Sequence, residues 1–134
     1  MSNQLYNILK KEEEAIGELL QVLEKQHTKI LENDPIELNM VTDEIQLINK
    51  KVAEAEVARR KLVGNKKITE LMTNDNSKEI DRVLRDIKII LTNIQLQKDT
   101  NDLLIKQKLS YTNKILSIIN PRRDVKTYNS YGKI

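Results

Sequence analysis

Residues 77–120 read SKEIDRVLRDIKIILTNIQLQKDTNDLLIKQKLSYTNKILSIIN, with no glycine or proline until Pro121. Ile80, Leu84, Ile87, Leu91, Ile94 and Ile105 recur there at helical steps, the pattern of one apolar stripe on an amphipathic helix. Proline cannot continue a helix interior, so a single helix is predicted from Ser77 to Asn120, opened by an Asn76/Glu79 capping pair. At full length it would reach roughly 65 Å. Gln97, Lys98 and Asn101 interrupt the stripe midway. They are read as a bend, or as the point where shorter neighbouring helices run out.

Working outward from this segment, two more helices precede it. Helix two is expected from Pro35 to about Val63, with Val41, Ile45, Ile48, Val52, Ala55 and Leu62 in alternating steps of four and three. Arg59 falls where that seam wants an apolar residue. Asp34 is a good N-cap, Pro35 suits the first helical position, Glu37 completes a capping-box pattern, and Gly64-Asn65 reads as the C-cap. Helix one is expected from about Asn3 to Asn33, with Leu5, Leu9, Ile16, Leu23 and Ile30 on its main stripe and Ile8, Leu19, Leu20 and Val22 broadening it. Each of these two would be roughly 45 Å long, so the third helix either bends or projects its C-terminal third beyond the hairpin. Residues 66–76 form a connector, with one helical turn around Ile68 to Met72. Short turns make successive helices antiparallel neighbours. The expected fold is all-α, an elongated antiparallel three-helix bundle or long helical hairpin. Residues 1–120 form the helical domain and 121–134 a flexible basic C-terminal tail.

Composition supports this reading. Of 134 residues 39% are hydrophobic, yet there are four Tyr and no Phe or Trp, so the core must be built from Leu, Ile and Val. Three Gly, two Pro and 32% charged residues leave material for few turns and long helices. The absence of Cys fits a cytoplasmic protein and excludes a disulfide framework, thiol catalysis or a cysteine zinc site. Lys10-Lys11-Glu12-Glu13-Glu14 falls where a signal peptide would be apolar, and no segment has the roughly 20 apolar residues of a membrane span. The chain is expected to stay in the cytoplasm without inserting into a membrane.

The net charge of +3 invites a nucleic-acid reading. Arg122, Arg123, Lys126 and Lys133 against Asp124 account for the whole surplus, and residues 1–120 are balanced. The basicity belongs to the tail, and it supports only a shallow salt dependence, so nucleic acid is not the expected partner. Catalysis finds no support either. Glu24-x-x-His27 has the spacing of a di-iron ligand pair, but His27 is the only histidine and a second copy cannot exist. Glu12, Glu13, Glu14 and Glu18 read as a solvated face. No phosphate loop or nucleophile elbow is present. Neither cofactor nor metal is expected.

The third helix has more apolar surface than one seam uses. Ile89, Leu96 and Leu103 lie at about 200°, 180° and 160° from Ile87, almost opposite the core stripe. This second stripe is expected to bind an amphipathic helix of a partner, or to close on a second copy in a homodimeric coiled-coil adaptor. Tyr128 and Tyr131 in the basic tail suit a short recognition motif as well as they suit a solubilising tail.

Several of these features resemble the FlgN family of flagellar type III export chaperones. Leu19-Leu20-x-x-Leu23-Glu24 is similar to the family's leucine-rich run in helix one, Glu56-x-x-Arg59-Arg60 to its close of helix two, and Asn101-Asp102-Leu103-Leu104 to its Asn before a leucine pair. Thr127-Tyr128-Asn129-Ser130-Tyr131-Gly132 looks like the family's Tyr-x-x-x-Gly ending. A lysine of the family's second helix has no counterpart near Ile45. The resemblance implies a chaperone, not an enzyme. Its clients would be the hook-associated proteins FlgK and FlgL, whose helical C-terminal segments it binds and delivers to the cytoplasmic domain of the export gate. It implies client binding by the region from Asn101 through Leu103 and Leu104 to Tyr111, beside Ile89 and Leu96, and export-gate docking by Tyr128, with Tyr131 and Gly132 in the same motif.

Overall fold

The computed structural model describes residues 2–67, Glu70 and residues 76–120. Within them the chain forms α1 (Ser2–Glu32), α2 (Pro35–Val63) and α3 (Ser77–Ile119), and the described residues contain no strand. The expected tail, and all but Glu70 of the expected turn around Ile68 to Met72, lie outside the described residues.

Local chemistry sets the corner between α1 and α2. Asn33 takes a left-handed φ of 58°, a conformation that Asn tolerates better than most side chains, and α1 stops there. Asp34 then caps α2, its Oδ1 accepting the Ile36 and Glu37 N–H groups at 3.1 Å each. At the other end Gly64, φ 60°, donates its N–H to the Arg60 carbonyl at 2.8 Å. The expected Asn76 side-chain cap is absent: Asn76 starts α3 through its backbone carbonyl, which accepts the Ile80 N–H at 3.0 Å.

Ion pairs record how the helices run. Glu18–Lys51 (2.9 Å) and Lys25–Glu44 (3.0 Å) tie α2 antiparallel to α1. Closer to the N-terminus the Arg59 Nε donates to the Glu12 carboxylate at 2.7 Å. This pair accounts for Arg59 in the seam, and it corrects the reading of Glu12 as solvated, since Glu12 is buried. α3 runs parallel to α1, with Asn101 level with Leu23 and Gln26 and Lys108 level with Asn33.

The central helix is α1, which packs against both neighbours, whereas α2 and α3 scarcely touch. The main cluster joins Leu5, Leu9 and Ile16 to Ile80, Val83 and Ile87, with Val52, Leu62 and Val63 of α2 against it. Further along, Val22, Leu23, Ile30 and Val41 continue the core. The rest of the α2 seam, including Ile45 and Ile48, is only half-buried.

The core stripe of α3 differs from the expected one. Leu91, 49% exposed, and Ile105 face solvent, while Val83, Ile90, Gln97, Asn101 and Leu104 join Ile80, Ile87 and Ile94 on the α1-facing side. Lys98 explains the choice. The expected stripe, continued by threes and fours, carries Lys98 into an apolar seam, where a buried ammonium without a partner is costly. The observed seam carries Gln97 instead, and Gln97 finds partners. Gln97, Lys98 and Asn101 therefore do not mark the end of the neighbouring helix. α3 continues uninterrupted through them to Ile119, with α1 alongside as far as Asn33.

A candidate protein-binding surface

A polar layer fixes the orientation of α3. Asn101 is 1% exposed. Its Nδ2 donates to the Leu23 carbonyl and to Gln26 Oε1, both at 2.8 Å, and its Oδ1 accepts from Gln97 Nε2 at 2.9 Å. Gln97 Nε2 also lies 2.9 Å from His27 Nδ1. His27 is thereby a seam residue whose partner is an amide. A buried asparagine in a helix–helix seam is a well-attested register device, because its bonds form in one alignment only.

With that orientation fixed, the candidate client-binding residues separate into three places. Ile89, Leu96 and Leu103, seven residues apart, are 59%, 61% and 56% exposed on one outer stripe. Leu104 is half-buried on the α1-facing side, beside the buried Asn101. Tyr111 is exposed further along, past the level of Asn33. Asn101 thus reaches the surface only through what it positions. Tyr128, Tyr131 and Gly132 lie outside the described residues.

Sequence reasoning passed over other exposed apolar side chains. Ile36, Met40 and Leu47 protrude from α2, and Ile118 and Ile119 from the end of α3. For Met40 and Leu47 the seven-residue spacing was a usable signal. For Ile118 and Ile119 the signal lay in how far α3 outruns α1, which needed the register.

These surfaces are suited to a helix and ill-suited to a small ligand. The hollow lined by Leu84, Ile87, Lys88, Leu91, Gln95 and Leu96 is a shallow, predominantly apolar depression on α3 itself, whereas ligand sites are concave and enclose most of their occupant. The ionic features lie elsewhere. Hydrogen bonds to Glu13 and Glu32 hold the Lys10 and Lys29 ammonium groups above their ordinary range, and both are on α1. Among the described residues no group of three or more His, Cys, Asp or Glu could hold a metal ion, and no helix is long and apolar enough to cross a membrane.

No curated protein and no solved structure matches the chain. One protein-family model, described as FlgN protein, matches residues 1–134. The match spans the whole sequence, so the chain belongs to the FlgN family of flagellar chaperones.

Proposed function

We propose that this chain is a cytoplasmic export chaperone that holds the helical C-terminal segments of FlgK and FlgL and delivers them to the flagellar export gate. The observation that carries the proposal is the outward stripe of Ile89, Leu96 and Leu103 on a helix whose opposite side is already committed to α1. A client helix laid along it would use anchors spaced by threes, fours and sevens. A stable complex needs on the order of 1,200–2,000 Å² of buried surface in total, which a long helix can supply. Part of the gross interaction, about 2–5 kcal/mol, is lost to ordering the client segment. Leu104 supports the stripe from the α1 side, Asn101 positions it, and Tyr111 extends the contact toward the end of α3. Export-gate docking belongs to Tyr128, with Tyr131 and Gly132, on a separate part of the chain. No chemistry is performed on the client.

Co-purification with FlgK and FlgL tests the reading. Leu96→Asp with Leu103→Asp should abolish capture while leaving the circular-dichroism spectrum and melting unchanged, since both side chains are exposed. Tyr128→Ala should leave capture intact and impair delivery to the gate's cytoplasmic domain. Normal capture by the double aspartate variant would remove the stripe from the client site. A tight dimer without client, dispersed by the same variant, would show that the stripe closes on a second copy.

A further inference from the structure

α2 carries each of its central charges twice and gives α1 only one of each. Asp43 stands beside Glu44, and seven residues on Lys50 stands beside Lys51. The second member of each pair faces α1, where Glu44 meets Lys25 at 3.0 Å and Lys51 meets Glu18 at 2.9 Å. Asp43 and Lys50 are exposed and take part in no ion pair among the described residues. At 100° per residue, Met40, Leu47, Ile36, Asp43, Lys50 and Val57 fall in that order between about 100° and 200° from Val41, the buried residue on the α1 side. The four apolar ones are 55%, 71%, 73% and 49% exposed. Together they make a continuous flank of α2, turned away from α1 and about 32 Å long from Ile36 to Val57.

Charge selects the occupant, because this flank complements itself. Ile36 and Val57 stand equally far from the point between Gln46 and Leu47, and both are apolar. Asp43 and Lys50 also stand equally far from it, and they are opposite in charge. An antiparallel second α2 laid on the flank therefore sets Ile36 against Val57, Asp43 against Lys50 on both sides of the axis, and Leu47 beside its own counterpart. A two-fold interface uses the same patch on both copies and requires this kind of self-complementarity. A parallel copy would set Asp43 on Asp43 and Lys50 on Lys50, which opposes pairing. We infer that two copies of this chain associate through α2, antiparallel about a two-fold axis beside Leu47, with the Ile89, Leu96 and Leu103 stripe of α3 outside the interface. Exposed ion pairs add little energy, so the charges set direction and the apolar side chains set affinity. Met40 comes nearly level with Glu54, a poor match, and four apolar side chains a copy are few beside the roughly 20–30 residues a side of a standard interface. The pairing is accordingly weak. It is independent of which surface a client uses, and it would join two client-binding stripes in one particle.

Sedimentation equilibrium of the full chain tests it. The unmodified chain should show a monomer–dimer equilibrium with a Kd of about 10–100 μM, and Leu47→Asp should weaken it at least about tenfold. Asp43→Lys and Lys50→Asp each place like charges face to face, so each should weaken self-association about fivefold or more, a loss that shrinks at high salt. Mixed together, these two variants should associate with each other about as tightly as the unmodified chain does, and the exchange of Asp43→Lys with Lys50→Asp in one chain should restore self-association. All these side chains are exposed, so circular dichroism should show unchanged helicity throughout. The chain has no cysteine, which allows a second readout: oxidation should cross-link Leu47→Cys to its own copy and leave Leu96→Cys monomeric. A chain still monomeric at about 1 mM overturns the inference. So does an exchange variant that stays dispersed, or a dimer that Leu96→Asp with Leu103→Asp disperses and Leu47→Asp does not. Loss of FlgK and FlgL capture on Leu47→Asp without any change in oligomeric state also overturns it, and would make this flank a client contact.

Discussion

Replacing Asn101 with alanine tests whether the polar layer, beyond the apolar seam, holds α3 on α1. The buried carboxamide makes three hydrogen bonds, to the Leu23 carbonyl, Gln26 and Gln97. Each is worth about 1 kcal/mol net, and a buried partner left unsatisfied costs about 1–3 kcal/mol. Two circumstances lower the total. Gln26 and Gln97 are only half-buried and can turn partly to water, and the Leu23 carbonyl keeps its intrahelical partner. The expected loss is therefore about 2 kcal/mol, which in a domain of this size lowers Tm by about 8 °C. Urea and thermal unfolding followed by circular dichroism measure it. Gln97 shares the network, so a cycle of Asn101→Ala, Gln97→Ala and the double variant should give a coupling of about 1 kcal/mol. A loss below about 0.5 kcal/mol, or additivity of the two single changes, would refute the assignment of this layer as the alignment device.

Two further perturbations follow from the α1–α2 side. Arg59→Leu leaves the buried Glu12 carboxylate without its guanidinium and should destabilise by about 3 kcal/mol, whereas Arg59→Leu with Glu12→Leu should recover most of that loss or exceed the starting stability; urea midpoints decide it, and a double variant weaker than the single one contradicts the argument. Asp34→Ala should cost about 1 kcal/mol and some α2 helicity, while Asp34→Asn, which keeps an accepting oxygen, should stay within a few tenths; equal losses for both would show that the cap contributes nothing.

What was legible in the sequence was what is decided locally. The Asn33-Asp34-Pro35 corner, the Gly64 stop and the end of α3 before Pro121 follow from the conformational habits of a few adjacent residues, and α2 ends where the sequence places it. What was not legible was decided between segments distant in sequence. Arg59 looked like a defect in one helix and Glu12 like part of a solvated run in another, because neither reveals its partner. Gln97 and Asn101 looked like an interruption for the same reason. Two stripes compete on α3, and choosing between them requires knowing that Gln26, His27 and a backbone carbonyl of α1 stand ready for those amides. The opposed position of Ile89, Leu96 and Leu103, by contrast, needs only helical geometry, and all three are exposed.

The polar layer bears on binding as well as on folding. The two stripes of α3 differ by a roll of the helix of about 50°, which would exchange Val83, Ile90, Gln97 and Leu104 for Leu84, Leu91, Lys98 and Ile105 in the seam. Such a roll would cover more apolar surface, since Leu91 and Ile105 now stand in solvent. Hydrophobic burial alone therefore favours the rolled state, or closure of α2 onto α3. What opposes the roll is Lys98, which it would carry into the seam, and the amide bonds of Gln97, which it would break. These two adjacent residues hold α3 in the orientation that leaves apolar side chains uncovered on both of its flanks. A chain selected only for stability would place a leucine at position 98; one that must present a helix face to another protein is served by a lysine beside a glutamine.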